Sequence, residues 1–429
     1  MSAKAAADRG ELRDPKLRDR ELGDGKLRDV VICQPLRTPI GKYGGAFRDT
    51  RPTELGEVVL RGILQRSGLP AEAVTDVIFG QCYPSGEEPA LGRVVALDAG
   101  LPVETAGMQI DRRCGSSLQA ICNAAMQVQT GVSEVVIAGG AETMSQVEFY
   151  SVAARWEEED PGPLLDRLAR ARVTAGGRNH VVRGGMVETA ENVARRYGIS
   201  RRDQDAFAVE SQRRAVAARD GGVFAEEIVP VAVSGPDGER RIVTDDEHPR
   251  PGTDLAGLAE LKPMLGRQLR DATVTPGNAC GQSDGAAACI LTTPAAAAQY
   301  GLRPVARLLG WSAAGVAPEL MGIGPLPATS RVLERLGLTL HDIDLIELNE
   351  AFAAQVLAVT REWGFARKDH ERLNVHGSGI SLGHPVGATG ARLTTTLLHA
   401  LERRGGRLGL VTMCIGGGQG MAAVFERIA

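Results

Sequence analysis

Short, uninterrupted apolar runs alternate with helix-periodic segments through this chain, and the alternation occurs twice. Val30-Val31-Ile32-Cys33 reads as a buried first strand. Leu55, Val58, Val59 and Ile63 then share one helical face, and Val77-Ile78-Phe79 makes the next strand. A further helix, with Leu118, Ile121, Cys122, Ala125 and Met126 on one side, ends near Gly131 and leads into Val135-Val136-Ile137-Ala138, closed by Gly139-Gly140. The order returns after residue 300. Ile343–Leu348 echoes the Val77 strand, Leu393, Leu397, Leu398 and Leu401 mark a helix, and Leu408–Met413 is again a strand that runs into glycines. Strands without polar alternation are strands buried on both faces, so the pattern predicts an α/β sheet covered by helices. Its repetition predicts an internal duplication, with Cys114 and His384 in corresponding helix-start loops of the two halves. The halves are expected at 30–144 with 272–299, and at 300–429.

Two segments depart from this pattern. Residues 1–29 repeat Leu-Arg-Asp three times, at Leu12, Leu17 and Leu27, with Pro15, Gly23 and Gly25 interrupting. So little apolar surface cannot offset the entropy of ordering, which predicts a disordered tail. The tail lacks a secretory apolar core, and its acids argue against a mitochondrial presequence. The second segment, 145–271, is rich in arginine, carries Glu157-Glu158-Glu159-Asp160-Pro161 and has few strand-like runs. It reads as an insertion into the first half.

The remaining bulk properties exclude classes of function. A net charge of −4 creates no basic field for nucleic acid or an anionic membrane surface, and no apolar stretch is long enough to span a bilayer. Seven irregularly spaced cysteines, an odd number, favour reduced thiols in the cytoplasm over a disulfide framework. No metal-type cysteine or histidine pair stands out, and no metal is expected.

Cys114, in Asp111-Arg112-Arg113-Cys114-Gly115-Ser116-Ser117, stands at or just before a helix N-terminus, where unpaired N–H groups and the helix dipole favour a thiolate. A lone cysteine of this kind is more often a small core residue. Three later runs change that balance: Asn349-Glu350-Ala351-Phe352, Gly383-His384-Pro385-Val386-Gly387 and Cys414-Ile415-Gly416-Gly417-Gly418-Gln419-Gly420. The terminal glycines do not read as a nucleotide loop, because too little chain follows them to complete a βαβ unit.

Together with the Cys114 segment, these runs resemble the thiolase family, enzymes that join or cleave acyl-CoA thioesters at a β-keto carbon. The resemblance extends from about Val30 to the C-terminus. It implies a five-layer fold of two βαβαβαββ halves and makes 145–271 a loop domain that holds CoA. It also implies that Cys114 carries the acyl group while His384 accepts its proton, and that Cys414 is the acid/base for the α carbon. The N–H groups of Cys114 and Gly416 would form one oxyanion hole, and His384 with a water on Asn349 the other. Met186, Cys280, Met321 and Phe352 would line the substrate pocket. No cofactor is implied; coenzyme A and acyl-CoA thioesters are substrates, and a homodimer or homotetramer is expected.

The chain departs from the family pattern at several positions. Cys280 stands where many members have serine, Ser117 where glycine or methionine is usual, and Gly185 where a histidine often precedes the methionine. Gly377-Ser378-Gly379 replaces the commoner glycine pair and alanine. Two other readings remain open from sequence. A decarboxylating condensing enzyme of the same superfamily would pair its cysteine with two histidines, and a catalytically silent CoA- or lipid-binding scaffold would not need these four side chains.

Overall fold

The computed structural model describes residues 27–157, 160–234 and 238–428. All but the last three residues of the expected tail lie outside these. At Arg28 the chain already donates its N–H to the Gln129 carbonyl, at 3.0 Å.

Fourteen strands are present among the described residues. β1 (Val31–Arg37), β2 (Gly41–Lys42), β3 (Asp76–Gly80), β4 (Ala106–Ile110) and β5 (Val135–Thr143) come first. The insertion carries two small hairpins, β6 (Phe149–Tyr150) with β7 (Leu165–Asp166), and β8 (Val231–Ser234) with β9 (Arg240–Val243). β10 (Ser283–Thr292), β11 (Pro304–Gly315), β12 (Leu345–Leu348), β13 (Leu408–Ile415) and β14 (Gln419–Arg427) follow.

The main sheet runs β12-β13-β14-β11-β1-β10-β5-β3-β4, with β2 beside β10. Read outward from its centre, the order is the same in both directions. β1, β10, β5 and β3 correspond to β11, β14, β13 and β12, with parallel and antiparallel pairings at matching places. The counterpart of β4 is reduced to a single bridge between Ile346 and Leu373. The halves meet where β1 pairs with β11 at only two positions, Ile32 with Ala306 and Cys33 with Pro304.

Strand parity distributes side chains between layers. On β5, Val136 and Ala138 enter the central core, whereas Val135 and Ile137 face the outer core of the first half. On β14, Met421, Ala423 and Phe425 point inward and Ala422 and Val424 outward. Sheets buried on both faces explain why the sequence shows continuous apolar runs. The central layer is the pair of helices Ser116–Thr130 and Thr389–Arg404. Helices Pro52–Ser67 and Leu91–Asp98 cover one outer face, and Pro325–Leu336 and Ala353–Glu362 the other.

The two central helices approach each other closely at their N-terminal ends, and this brings the functional loops together. A Cβ on Gly390 would lie 2.4 Å from the Leu118 nitrogen, so no side chain fits there. Beside this contact the Ala391 N–H donates to Ser117 Oγ at 2.9 Å. The insertion between β5 and β10 is tied to β1 by a buried ion cluster. The Arg37 guanidinium contacts Glu227 at 2.6 Å and Asp246 at 2.7 and 2.9 Å, and its side chain is fully buried.

Candidate active site

The Cys114 loop is built by short polar contacts. The Arg113 N–H donates to Asp111 Oδ1 at 2.7 Å, and Ser116 Oγ accepts from the Arg112 N–H and donates to the Arg113 carbonyl. These bonds hold Arg113 at φ +50°, a left-handed conformation that is unfavourable for a side chain of this size. The turn delivers Cys114 just ahead of a helix that starts at Ser116. The N–H groups of Gly416, just past β13, and of Cys114 itself lower the Cys114 thiol electrostatically. Burial nevertheless raises the thiol above its ordinary value, against the pull of Gly416 and of the Arg113 charge. The thiolate expected from the helix terminus is therefore not the resting form: desolvation outweighs the dipole.

His384 follows Gly383, whose φ is +92° and whose Cβ, if present, would lie 2.6 Å from His248 Cδ2. Ser283 on β10 accepts the His384 N–H at 2.9 Å, contacts His248 Nε2 at 2.9 Å and donates to the Gly281 carbonyl. The loop is thus pinned to the first half of the fold. His384 Nδ1 lies 2.6 Å from Thr389 Oγ1, whose only proton goes to the Pro385 carbonyl at 2.9 Å. Thr389 must therefore accept from Nδ1–H, which leaves Nε2 as the free acceptor. Burial, with the Arg392 and Arg172 charges adding, lowers the imidazole to about 3, so it is neutral at working pH.

One cavity of about 840 Å³ is lined by Cys114, His384, Gly416, Met186, Cys280, Met321 and Phe352. Seven of the nine positions singled out from sequence thus share one lining. Cys414 and Asn349 are fully buried behind it. Cys414 packs in the wall with Met186, Cys280, Met321 and Phe352. Burial and the neighbouring Cys114 and Cys280 push its thiol well up. Asn349 Nδ2 faces the His384 ring at 3.5 Å, and its Oδ1 has no protein partner among the described residues. Burial pushes Cys280 up to about 12, so it too is a neutral thiol.

Several contributors had escaped sequence reasoning. Thr389, Ser283 and His248 position His384, while Arg113, Arg172, Arg183 and Arg250 give the cavity a cationic lining. Thr389 lies one helical turn beyond the histidine and could have been suspected from that spacing. The others carry no local signal.

A chain with a half-buried cysteine and a neutral histidine on the helix-start loops of duplicated halves is matched by family models. The thiolase N-terminal domain matches residues 30–295 and the thiolase C-terminal domain residues 302–427. The chain belongs to the thiolase family. It is 46% identical over 406 residues to the β-ketothiolase BktB of Cupriavidus necator, covering 94% of this chain and 100% of that one. To a β-ketoadipyl-CoA thiolase of Pseudomonas putida it is 45% identical over 413 residues, with the same coverage. Among solved structures, the acetyl-CoA acetyltransferase of Bacillus anthracis superposes with a TM-score of 0.88 at 42% identity, covering 94% of this chain and all of that one. Human mitochondrial 3-ketoacyl-CoA thiolase gives 0.87 at 38%, covering 94% and 99%. This thiolase is accordingly an acyltransferase of the condensing or thiolytic kind.

Proposed function

We propose that this thiolase cleaves 3-ketoacyl-CoA, or condenses acetyl-CoA with acyl-CoA in reverse, through an acyl-Cys114 intermediate. The observation that carries the assignment is the pairing of two features on one cavity: a Cys114 thiol that shares its wall with Gly416, and a His384 whose Nδ1 is engaged by Thr389 so that Nε2 is the ring's acceptor. In the cleavage direction Nε2 takes the Cys114 proton as the sulfur attacks the keto carbon. The oxyanion is met by the N–H groups of Cys114 and Gly416. The carbon–carbon bond then breaks, and its electron pair passes to the α carbon of the departing acetyl-CoA. That carbon takes a proton from Cys414, whose raised thiol suits it to be an acid. An incoming CoA thiol gives its proton to the Cys414 thiolate and its sulfur takes the acyl group. Cys114 recovers its proton from His384, and the charges balance. Asn349, with a water, and His384 serve the thioester oxygen.

The segment 145–271 is assigned to CoA binding, with the exposed Arg183 and, at its far end, Arg250 at the cavity rim suited to phosphates. Cys280 takes the place of a hydroxyl beside the pantetheine arm, where a thiol is a weaker partner. Acyl-CoA thioesters are the partners, and no resident cofactor is proposed. No described helix is long and apolar enough to cross a membrane, and the seven free cysteines fit a reducing cytoplasm. β4 is a half-exposed strand at the sheet edge, with Met108 38% exposed. An unpaired edge of this kind supports a homodimer, or a tetramer built from such dimers.

Incubation with acetyl-CoA followed by peptide mass spectrometry tests the intermediate. An acetyl group is expected on Cys114 and none on Cys114→Ala. Labelling of that variant at another residue would refute the assignment. CoA-dependent cleavage of 3-ketoacyl-CoAs of increasing length then defines the pocket. A sharp fall beyond acetoacetyl-CoA would mark an acetyl-CoA acetyltransferase, and sustained activity a broad 3-ketoacyl-CoA thiolase.

A further inference from the structure

Glu142, near the end of β5, is buried at the seam between the two halves and has no part in the chemistry described above. Its carboxylate accepts the N–H groups of Cys82 at 2.8 Å and Tyr83 at 3.2 Å, just past β3. The third donor comes from the other half of the chain, the Gly387 N–H at 2.9 Å, shortly after His384. All three partners are backbone groups, so the carboxylate fixes main chain rather than side chains. The packing leaves no room for a larger residue: a Cβ on Gly387 would lie 2.6 Å from Gln81 Cα and 2.8 Å from Glu142 Oε2.

The two joined segments carry walls of the active site. Cys82, Tyr83 and Val386 line the cavity, and with Met144 and Leu168 they form the apolar cluster against which Cys114 packs. Gly387 lies between His384 and Thr389, whose contact sets the free ring nitrogen. A carboxylate that ties residues 82–83 to residue 387 therefore governs the gap between the Cys114 sulfur and the imidazole.

We propose that Glu142, as a carboxylate, is a positioning residue for acylation, holding the His384 loop against the Cys82–Tyr83 segment where His384 Nε2 can take the Cys114 proton. The inference rests on the thiolase assignment above. An ionised carboxylate has acceptor sites for all three donors, whereas a protonated one turns an oxygen into a donor that faces N–H groups. Ionisation is thereby coupled to the geometry of the loop. Burial raises Glu142 to about 7 against the three N–H groups, and Asp111 adds to the rise. Around it, Cys82 and Tyr83 are raised by burial and stay neutral, while the Arg172 and Arg113 charges face Tyr83. Asp284 on β10, raised by burial to about 6, is held by Ser145 and Met144 and joins neither segment. His384, lowered by burial to about 3, and Cys114, raised by burial, do not titrate near 7. Acylation should then slow as pH falls through about 7, where Glu142 gains its proton.

The test is single-turnover acetylation of Cys114 by acetyl-CoA, followed from about pH 5.5 to about pH 9. The wild-type rate is expected to fall below about pH 7 with the uptake of one proton. Glu142→Gln, which sets an NH2 against the N–H groups, should slow the step by about 10- to 100-fold and flatten the profile there. The acetyl-CoA concentration giving half the maximal rate should change less than about threefold, because CoA binding is untouched. Glu142→Asp keeps a charge, so it should keep a limb at a shifted pH. A purely structural role would lower the melting temperature of Glu142→Gln and leave the rate and profile of the folded enzyme unchanged, which would overturn the proposal. So would a wild-type rate that stays flat through this range, or a limb that persists at the same pH in Glu142→Gln. Should that variant fail to fold, Glu142→Asp decides, since a limb at the wild-type position would belong to another group. Absence of Cys114 acetylation in the wild type at every pH would overturn the thiolase mechanism and this proposal with it.

Discussion

Thr389 Oγ1 lies 2.6 Å from His384 Nδ1 and spends its own proton on the Pro385 carbonyl. That single contact fixes which imidazole nitrogen is free to act as a base. A hydroxyl that is already donating can only accept from the ring, so the ring must carry its proton on Nδ1.

Thr389→Val removes the acceptor and keeps the shape. The imidazole is then free to carry its proton on the wrong nitrogen, and acylation of Cys114 should slow by about a hundredfold, at the low end of what a positioned base contributes. Thr389→Ser should restore most of the rate. Single-turnover acetylation measures the step, and a rate for Thr389→Val within twofold of wild type would count against the positioning role.

His384 also predicts a pH dependence of stability. Its ordinary value of 6.5 falls to about 3 in the folded protein because burial disfavours the charged ring. Below pH 6.5 the unfolded chain binds a proton there that the folded protein does not. This group's contribution is therefore present above pH 6.5 and is lost as pH falls toward 3. The buried Glu142, raised by desolvation to about 7, acts in the opposite sense. The difference between wild type and His384→Asn isolates the histidine. Denaturant melts should show the variant declining less steeply between pH 6.5 and the acid end, and parallel curves would show that the ring is not buried neutral.

Cys414→Ala should separate the two halves of the reaction. Carbon–carbon cleavage needs a proton delivered to the α carbon, whereas a CoA thiol can lose its proton to water. Exchange of labelled acetyl groups between CoA molecules should persist, and thiolysis of acetoacetyl-CoA should fall by about a thousandfold or more. Near-normal thiolysis by the variant would require another acid.

Arg37→Met tests the joint between the insertion and the sheet. Burial opposes the Arg37 charge, but Asp246 and Glu227 outweigh it and hold the guanidinium above its usual value. Removing it leaves two buried carboxylates facing each other without a cation. Unfolding should become easier by about 3–5 kcal/mol, read from urea melts at neutral pH. A loss below about 1 kcal/mol would mean that water reaches the pair.

Gly383→Ala should impair the site through the backbone. With φ at +92° and the new Cβ 2.6 Å from the His248 ring, the loop must shift. A destabilisation of about 1–3 kcal/mol is expected, together with slower acylation, because His384 is the next residue. Unchanged melting and acylation would show that the loop can relax.

The duplicated α/β order was legible because both sheet faces are buried, which makes each strand a plain apolar run and each helix a periodic one. Cys114, His384 and Gly416 were legible for a different reason. They sit at strand ends and helix starts, where small residues and glycines mark a break in periodicity. The protonation states were not. The helix terminus at Cys114 pointed to a thiolate, but the depth of the cavity, set by segments far apart in the chain, raises the thiol instead. Thr389, Ser283 and His248 were missed because each is an ordinary residue whose role depends on which ring atom it faces.

The sequence by itself determined the family, the strand and helix order and the candidate nucleophile, since these follow from local periodicity and from short motifs. Only the tertiary structure decided the charge on Cys114, the free nitrogen of His384 and the meeting of Arg113 with Arg172 on one cavity wall. Those depend on desolvation and on contacts between residues distant in the chain, and neither leaves a pattern along a single segment.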